Sequence, residues 1–125
     1  MNRKSELGQI GEDKACQYLV KQGFTIIERN YNRPYGEIDI IAKDPDKTLA
    51  FVEVKTMQDV TEKSLRPEDQ LTRQKYENIS KTALVYANNN PSLIKEKMGW
   101  RIDLVCIIFC DSNDFKIIHY KNIQK

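Results

Sequence analysis

The chain has 125 residues, of which 40% are hydrophobic and 30% charged, and its formal net charge is +2. That mixture excludes a disordered polar chain and is long enough for one domain, residues 1–125, with its own core. The charge is too small to demand a nucleic-acid partner, although 20 lysines and arginines could form a local basic surface.

No apolar run approaches a membrane span. Met1-Asn2-Arg3-Lys4-Ser5-Glu6 carries no apolar signal core after its basic residues, so a cytoplasmic location is expected. Ser5 to about Gln22 reads as a helix, with Leu7, Ile10, Ala15, Tyr18 and Leu19 at helical spacing and Gly23 as its stop. Gly8, Gly11 and Ala15 would make a stripe of small residues, letting the helix lie close against a sheet. Glu12 falls on or beside this buried face. It is either a first-turn acid favoured by the helix dipole or an acid placed there for function.

Phe24 to Asn30 is a predicted strand, and Asn30 to Tyr35 a loop punctuated by Pro34. Gly36–Ala42 and Phe51–Thr56 alternate as half-buried strands, joined through Lys43-Asp44-Pro45-Asp46-Lys47. Met57 to Asp69 is polar and aperiodic, and is expected to be a loop. Thr72 is the expected N-cap of a long helix to about Asn88, with an apolar stripe of Tyr76, Ile79, Ala83 and Tyr86. Pro67 could instead start a helix earlier. Arg73, Lys75 and Lys81 load this helix with positive charge, by default a solvated face and more sharply a phosphate contact. Trp100–Phe109 reads as a central strand, Asp111–Asp114 as a turn and Phe115–Tyr120 as a last strand. The order α-β-β-β-α-β-β predicts an α/β (mixed α+β) fold, a mixed sheet with helices packed on it.

The central hairpin holds the chemistry. Its apolar residues can share a face only if paired residue numbers sum to an even value. A sum of 92 sets Ile40 opposite Val52 and Ala42 opposite Ala50, and also Asp39 opposite Glu53 and Glu37 opposite Lys55. A slip by one residue would put Asp39 among aliphatics. Pro45 disfavours a two-residue turn at Pro45-Asp46, because primed turns need φ > 0 where proline cannot go. Three- and five-residue loops keep the even sum. Asp39, Glu53, Glu37 and Lys55 are then expected on the outer face, opposed Cβ atoms lying about 4.5–5.5 Å apart. At that spacing Asp39 and Glu53 could share a divalent cation, with the Val54 carbonyl as a neutral ligand and open positions for water and a substrate phosphate. Lys55 could orient or deprotonate the attacking water. Spacing alone favours the simpler reading, a cross-strand ion pair of Glu37 with Lys55.

The remaining reactive side chains add little. Cys16, Cys106 and Cys110 have no metal or disulfide spacing, Cys106 reads as a core residue, and His119 is expected to be structural or on the surface.

Asp39 followed by Glu53-Val54-Lys55 on consecutive strands, after a helix bearing Glu12, resembles the PD-(D/E)xK nuclease superfamily. More closely, the chain resembles a small uncharacterised bacterial family, the YraN type. The matching pieces are Gly8-x-x-Gly11-Glu12, Gly23-Phe24, Tyr35-Gly36-Glu37-Ile38-Asp39-Ile40-Ile41-Ala42, Phe51-Val52-Glu53-Val54-Lys55-Thr56, Lys75 and Arg101-Ile102-Asp103. The resemblance implies a restriction-endonuclease-like core related in plan to archaeal Holliday junction resolvases. It implies that Asp39 and Glu53 are metal ligands, Lys55 the catalytic lysine and Glu12 an acid completing the site. Gln70 and Lys75 match polar positions of the long helix that point toward the site. Ile38 stands where the motif's proline would be, and Met57 where close relatives often carry arginine. The expectation is a Mg²⁺- or Mn²⁺-dependent endonuclease acting on DNA, at branched or damaged structures. A homodimer is expected by analogy with the resolvases. The alternatives are a non-catalytic nucleic-acid-binding module on the same fold, using Arg73, Lys75 and the sheet face, and an adaptor whose acids are surface pairs.

Overall fold

The computed structural model describes residues 5–58, 61–94, 98–110 and 114–125. The expected turn at Asp111-Ser112-Asn113 lies outside the described residues. Helix α1 spans Glu6–Lys21. Its start is set by Ser5, whose hydroxyl accepts the Gly8 N–H at 3.0 Å. Its end is a Schellman turn: Phe24 N–H donates to the Leu19 carbonyl at 2.9 Å and Gly23 N–H to Val20 at 3.0 Å. Gly23 takes φ +92°, and a Cβ there would also meet Pro45 at 2.9 Å.

Strand β1, Thr25–Arg33, is longer than expected. It runs antiparallel to β2, Gly36–Lys43, and Arg33 pairs with Gly36, so only Pro34-Tyr35 remains as a turn. The polar composition of 30–33 suggested a loop. As β1 is an edge strand, Asn30, Asn32 and Arg33 stay exposed while Tyr31 alone is buried. Strand β3, Leu49–Gln58, follows a five-residue loop closed by Asp44 N–H on the Thr48 carbonyl at 2.9 Å.

The expected loop 57–69 is also more regular than its composition suggested. Met57 and Gln58 extend β3, a single helical turn covers Glu62–Ser64, and Pro67–Gln70 forms α2 with Pro67 in its first turn. The chain then turns extended at Leu71 (φ −135°, ψ 109°), and α3 runs Arg73–Asn89 with Thr72 as N-cap, its hydroxyl accepting the Lys75 N–H at 3.1 Å. Both start signals, Pro67 and Thr72, are therefore used by separate helices. A short turn at Pro91–Leu93 leads to β4, Trp100–Phe109, and β5, Phe115–Tyr120.

The sheet order is β1-β2-β3-β4-β5. Only β3 and β4 are parallel, and α3 lies in the crossover between them. Ala15 and Leu19 of α1 pack with Ile40, Ala42, Ala50, Val52, Val105 and Ile107. On the other face Ile79, Ala83 and Tyr86 of α3 pack with Ile41, Leu49, Phe51 and Ile102. Phe51 meets Tyr86 and Trp100 edge-on at centroid distances of 5.8 and 5.5 Å. The expectation of a polar outer face on the central hairpin is therefore corrected: α3 covers it. Ile41, Leu49 and Phe51 supply its apolar floor, as strands buried on both faces require. On α1, Ile10 was expected in the core but is 42% exposed.

Candidate functional site

The register of the central hairpin is the one the alternation predicts, for as far as the ladder runs. Lys43 pairs with Leu49, Ala42 with Ala50, Ile41 with Phe51 and Ile40 with Val52. There β2–β3 pairing stops. Residues 36–38 of β2 stay paired to β1, and residues 53–58 of β3 stay paired to β4. The expected continuation, Asp39 opposite Glu53 and Glu37 opposite Lys55, is absent from the ladder. Instead the Asp39 side chain reaches across, and its Oδ2 accepts the Val54 N–H at 2.8 Å. A carboxylate oxygen thus replaces the backbone acceptor that the ladder no longer provides.

Where the strands part, a cleft of about 620 Å³ opens. Glu12 and Gly8 of α1, Gly36, Glu37 and Asp39 of β2, and Glu53, Val54, Lys55 and Thr56 of β3 line it. So do the N-caps Ser5 and Thr72, with Gln74, Lys75, Asn78 and Ile79 of α3. Two glycines let the helices close on it. A Cβ on Gly11 would strike the Thr56 hydroxyl, and one on Gly36 would strike the Thr82 hydroxyl and lie 3.0 Å from the Asn78 carbonyl oxygen.

The acids in this cleft are buried. Asp39 retains 7% of its exposure, Glu53 4% and Glu12 2%. Glu12 accepts an ion pair from Arg29 at 3.3 Å, and Arg29 also holds Asp13 at 2.7 Å. Glu53 bonds with the Asp39 carboxyl, and its Oε2 lies 2.5 Å from Lys75 Nζ. Burial, then the charge of Asp39, pushes the Glu53 carboxyl up to about 8, against the opposite pull of Lys75. Burial alone would lower Lys75, but Glu53, Asp39 and Glu37 together raise it above its usual range.

Of the residues singled out in the sequence, Glu12, Glu37, Asp39, Glu53, Val54, Lys55 and Lys75 all line the cleft. Gln70 and Arg73 do not. Gln70 ends α2, and the extended Leu71 breaks the helical phase that would have aligned it with Gln74. Arg73 stands two residues, about 200° of helix, from Lys75. Sequence reasoning missed Gln74 and Asn78, although Gln74, Lys75, Asn78 and Ile79 share one helical face and Ile79 was recognised as apolar. It also missed Arg29, whose pairing with Glu12 no local pattern signals. His119 takes the structural of its two expected roles: its side chain is 5% exposed, its Nε2 lies 2.9 Å from Asp103 and its Nδ1 3.1 Å from the Tyr18 hydroxyl.

Comparison with known proteins places the sequence. The uncharacterised protein family UPF0102 matches residues 11–107, a span holding Glu12, both strands of the cleft and α3. The chain belongs to this family. A UPF0102 protein of Campylobacter jejuni is 44% identical over 113 residues, covering 86% of this chain and 93% of its own. A UPF0102 protein of Syntrophomonas wolfei is 39% identical over 122 residues, 98% of each chain. Among solved structures, a protein of unknown function from Silicibacter pomeroyi is 15% identical with a TM-score of 0.41, over 98% of this chain and 77% of that one. Among the described residues of this UPF0102 chain, no helix is long and apolar enough to cross a membrane. Nor do three His, Cys, Asp or Glu side chains among them make a ready metal cage.

Proposed function

We propose that this chain is a Mg²⁺- or Mn²⁺-dependent endonuclease that hydrolyses DNA phosphodiester bonds. The observation that carries the reading is the pair of buried carboxyls, Asp39 and Glu53, at the parting of two strands with Lys55 two residues further on. The donor set fits the cation: the donors are oxygens, and Mg²⁺ takes only one or two carboxylates and fills the rest of its octahedron with water and substrate. Asp39 and Glu53 would hold the metal, with the Val54 carbonyl as a neutral ligand. When bound, the metal supplies charge stabilisation at a phosphoryl oxygen and an acidified water.

This chain's own groups do the rest. Asp39 is fixed by the Val54 N–H, so its carboxylate is preorganised. Lys55 lies on the cleft wall, where it orients or deprotonates the attacking water. Glu12 adds a third buried acid from α1. The N-caps of α1 and α3 both border the cleft, so two helix N-termini favour the negative charge of a backbone phosphate. Branched or damaged DNA is the substrate class that the resemblance to junction resolvases suggests.

Cleavage of branched, single-stranded and duplex DNA with Mn²⁺ tests the reading. Wild type should cut at least one of them, and Lys55→Ala should reduce the rate by about 10²-fold or more, the contribution of a positioned proton-transfer group. Equal background from the two proteins refutes catalysis. Binding without cutting, weakened steeply by salt, would identify a nucleic-acid-binding module on the same fold.

A further inference from the structure

A buried carboxylate is retained only with a counter-charge. For Glu53, 4% exposed, that charge is the Lys75 ammonium, whose own side chain is 54% exposed. The two ends of this ion pair are built differently. Glu53 sits in the sheet interior next to Asp39. Lys75 reaches it from the first turn of α3 on a long flexible stem, while its backbone N–H is pinned to the Thr72 hydroxyl at 3.1 Å. The ammonium can leave without moving the helix.

We propose that Lys75 is a displaceable stand-in for the metal cation: its ammonium holds the Glu53 carboxylate in the metal-free protein and is released into the cleft when a divalent cation binds. The inference rests on the metal-site reading of Asp39 and Glu53. Its consequence is a coupling between metal and substrate. Metal loading removes the partner of Lys75 beside two helix N-termini, so a backbone phosphate meets a freed ammonium only in the loaded protein. In the metal-free cleft the Glu53 ion pair occupies this ammonium, so the cleft is weaker for polyanions.

Two measurements on the whole chain test this. Lys75→Met should bind Mn²⁺ about tenfold more tightly than wild type by calorimetry, because a charged hydrogen bond no longer competes. In wild type, the acylation rate of Lys75, followed by mass spectrometry at low modification, should rise several-fold on adding Mg²⁺, and Asp39→Asn should abolish the rise. Unchanged or weaker Mn²⁺ binding by Lys75→Met overturns the proposal. So does tighter binding with no change in Lys75 acylation, since that reports charge relief without displacement. In either case Mn²⁺ binding that is lost in Asp39→Asn leaves the metal site itself standing. No Mn²⁺ binding in wild type or Lys75→Met overturns both.

Discussion

Replacing Arg101 with leucine should unfold this protein more readily than most core truncations, and in a pH-dependent way. Arg101 is 11% exposed. Its Nε meets Asp103 Oδ1 at 2.8 Å and its terminal amino group meets Asp44 Oδ2 at 2.6 Å. Asp103 is fully buried and also holds His119 Nε2 at 2.9 Å and the Asn122 N–H at 3.0 Å. Burial alone would raise the Asp103 carboxyl, but the bonds from His119, Arg101 and Asn122 hold it below its usual range. Asp44 is likewise lowered, burial being outweighed by Arg101, the Asp46 N–H and Lys121. Arg101→Leu removes the cation shared by two buried carboxylates, leaving Asp103 to His119 and the Asn122 N–H and Asp44 to Lys121 and the Asp46 N–H, a loss of about 3–5 kcal/mol. Both groups have depressed values in the folded state, so their stabilisation is present above about pH 4 and is lost as pH falls through the folded values. The deficit of the variant should therefore be largest near neutral pH and narrow in acid, where both proteins have protonated these acids. Urea unfolding from about pH 7 down to about pH 3 measures it. A deficit under about 1 kcal/mol at neutral pH, or one constant across the range, refutes the reasoning.

Gly36→Ala drives a Cβ into the Thr82 hydroxyl and the Asn78 carbonyl, so urea unfolding should show a loss of about 1–3 kcal/mol. Since Asn78 lines the α3 wall of the cleft, the DNA cleavage proposed above should fall with it. At Asp39 the two roles separate. Asp39→Ala leaves the part-buried Val54 N–H without its acceptor and should lose about 1–3 kcal/mol in urea unfolding. Asp39→Asn keeps an oxygen there and should stay close to wild-type stability while losing Mn²⁺ binding by calorimetry.

Much of this fold is legible in the chain, and the gaps have physical causes. Ile40, Ala42, Ala50 and Val52 fix the β2–β3 register because a one-residue slip would set Asp39 among the aliphatic side chains packed on α1, and the four observed pairs follow it. Periodicity says which side chains share a face; it does not say where the backbone ladder stops. The parting after Ile40–Val52, and the Asp39–Val54 bond that seals it, were therefore invisible. The second buried face was readable in Ile40-Ile41-Ala42 and Leu49-Ala50-Phe51-Val52, which are continuous apolar runs as well as alternating ones. The charges of Asp39 and Glu53, in phase with Ile41 and Phe51, mask it. Pairings such as Glu12–Arg29 and Asp103–His119 join distant positions and leave no local signal.

The two buried acid clusters show why one reads as a fastener and the other as a site. Asp103 is met from several sides by groups from β4, β5 and the segment after it, including the planar fork of Arg101, and its carboxyl is held below the usual range. Its side-chain partners Arg101 and His119 are 11% and 5% exposed and its third partner is a main-chain N–H, so nothing is gained by admitting a ligand. Glu53 is held by one lysine on a half-exposed stem and by a second acid, and its carboxyl is pushed up. Such a cluster is costly for folding alone, because its best counter-charge would be a compact divalent cation at the point where the strands part. The fold bears that cost at the cleft, between two helix N-termini, where the proposed phosphodiester substrate would bring its charge.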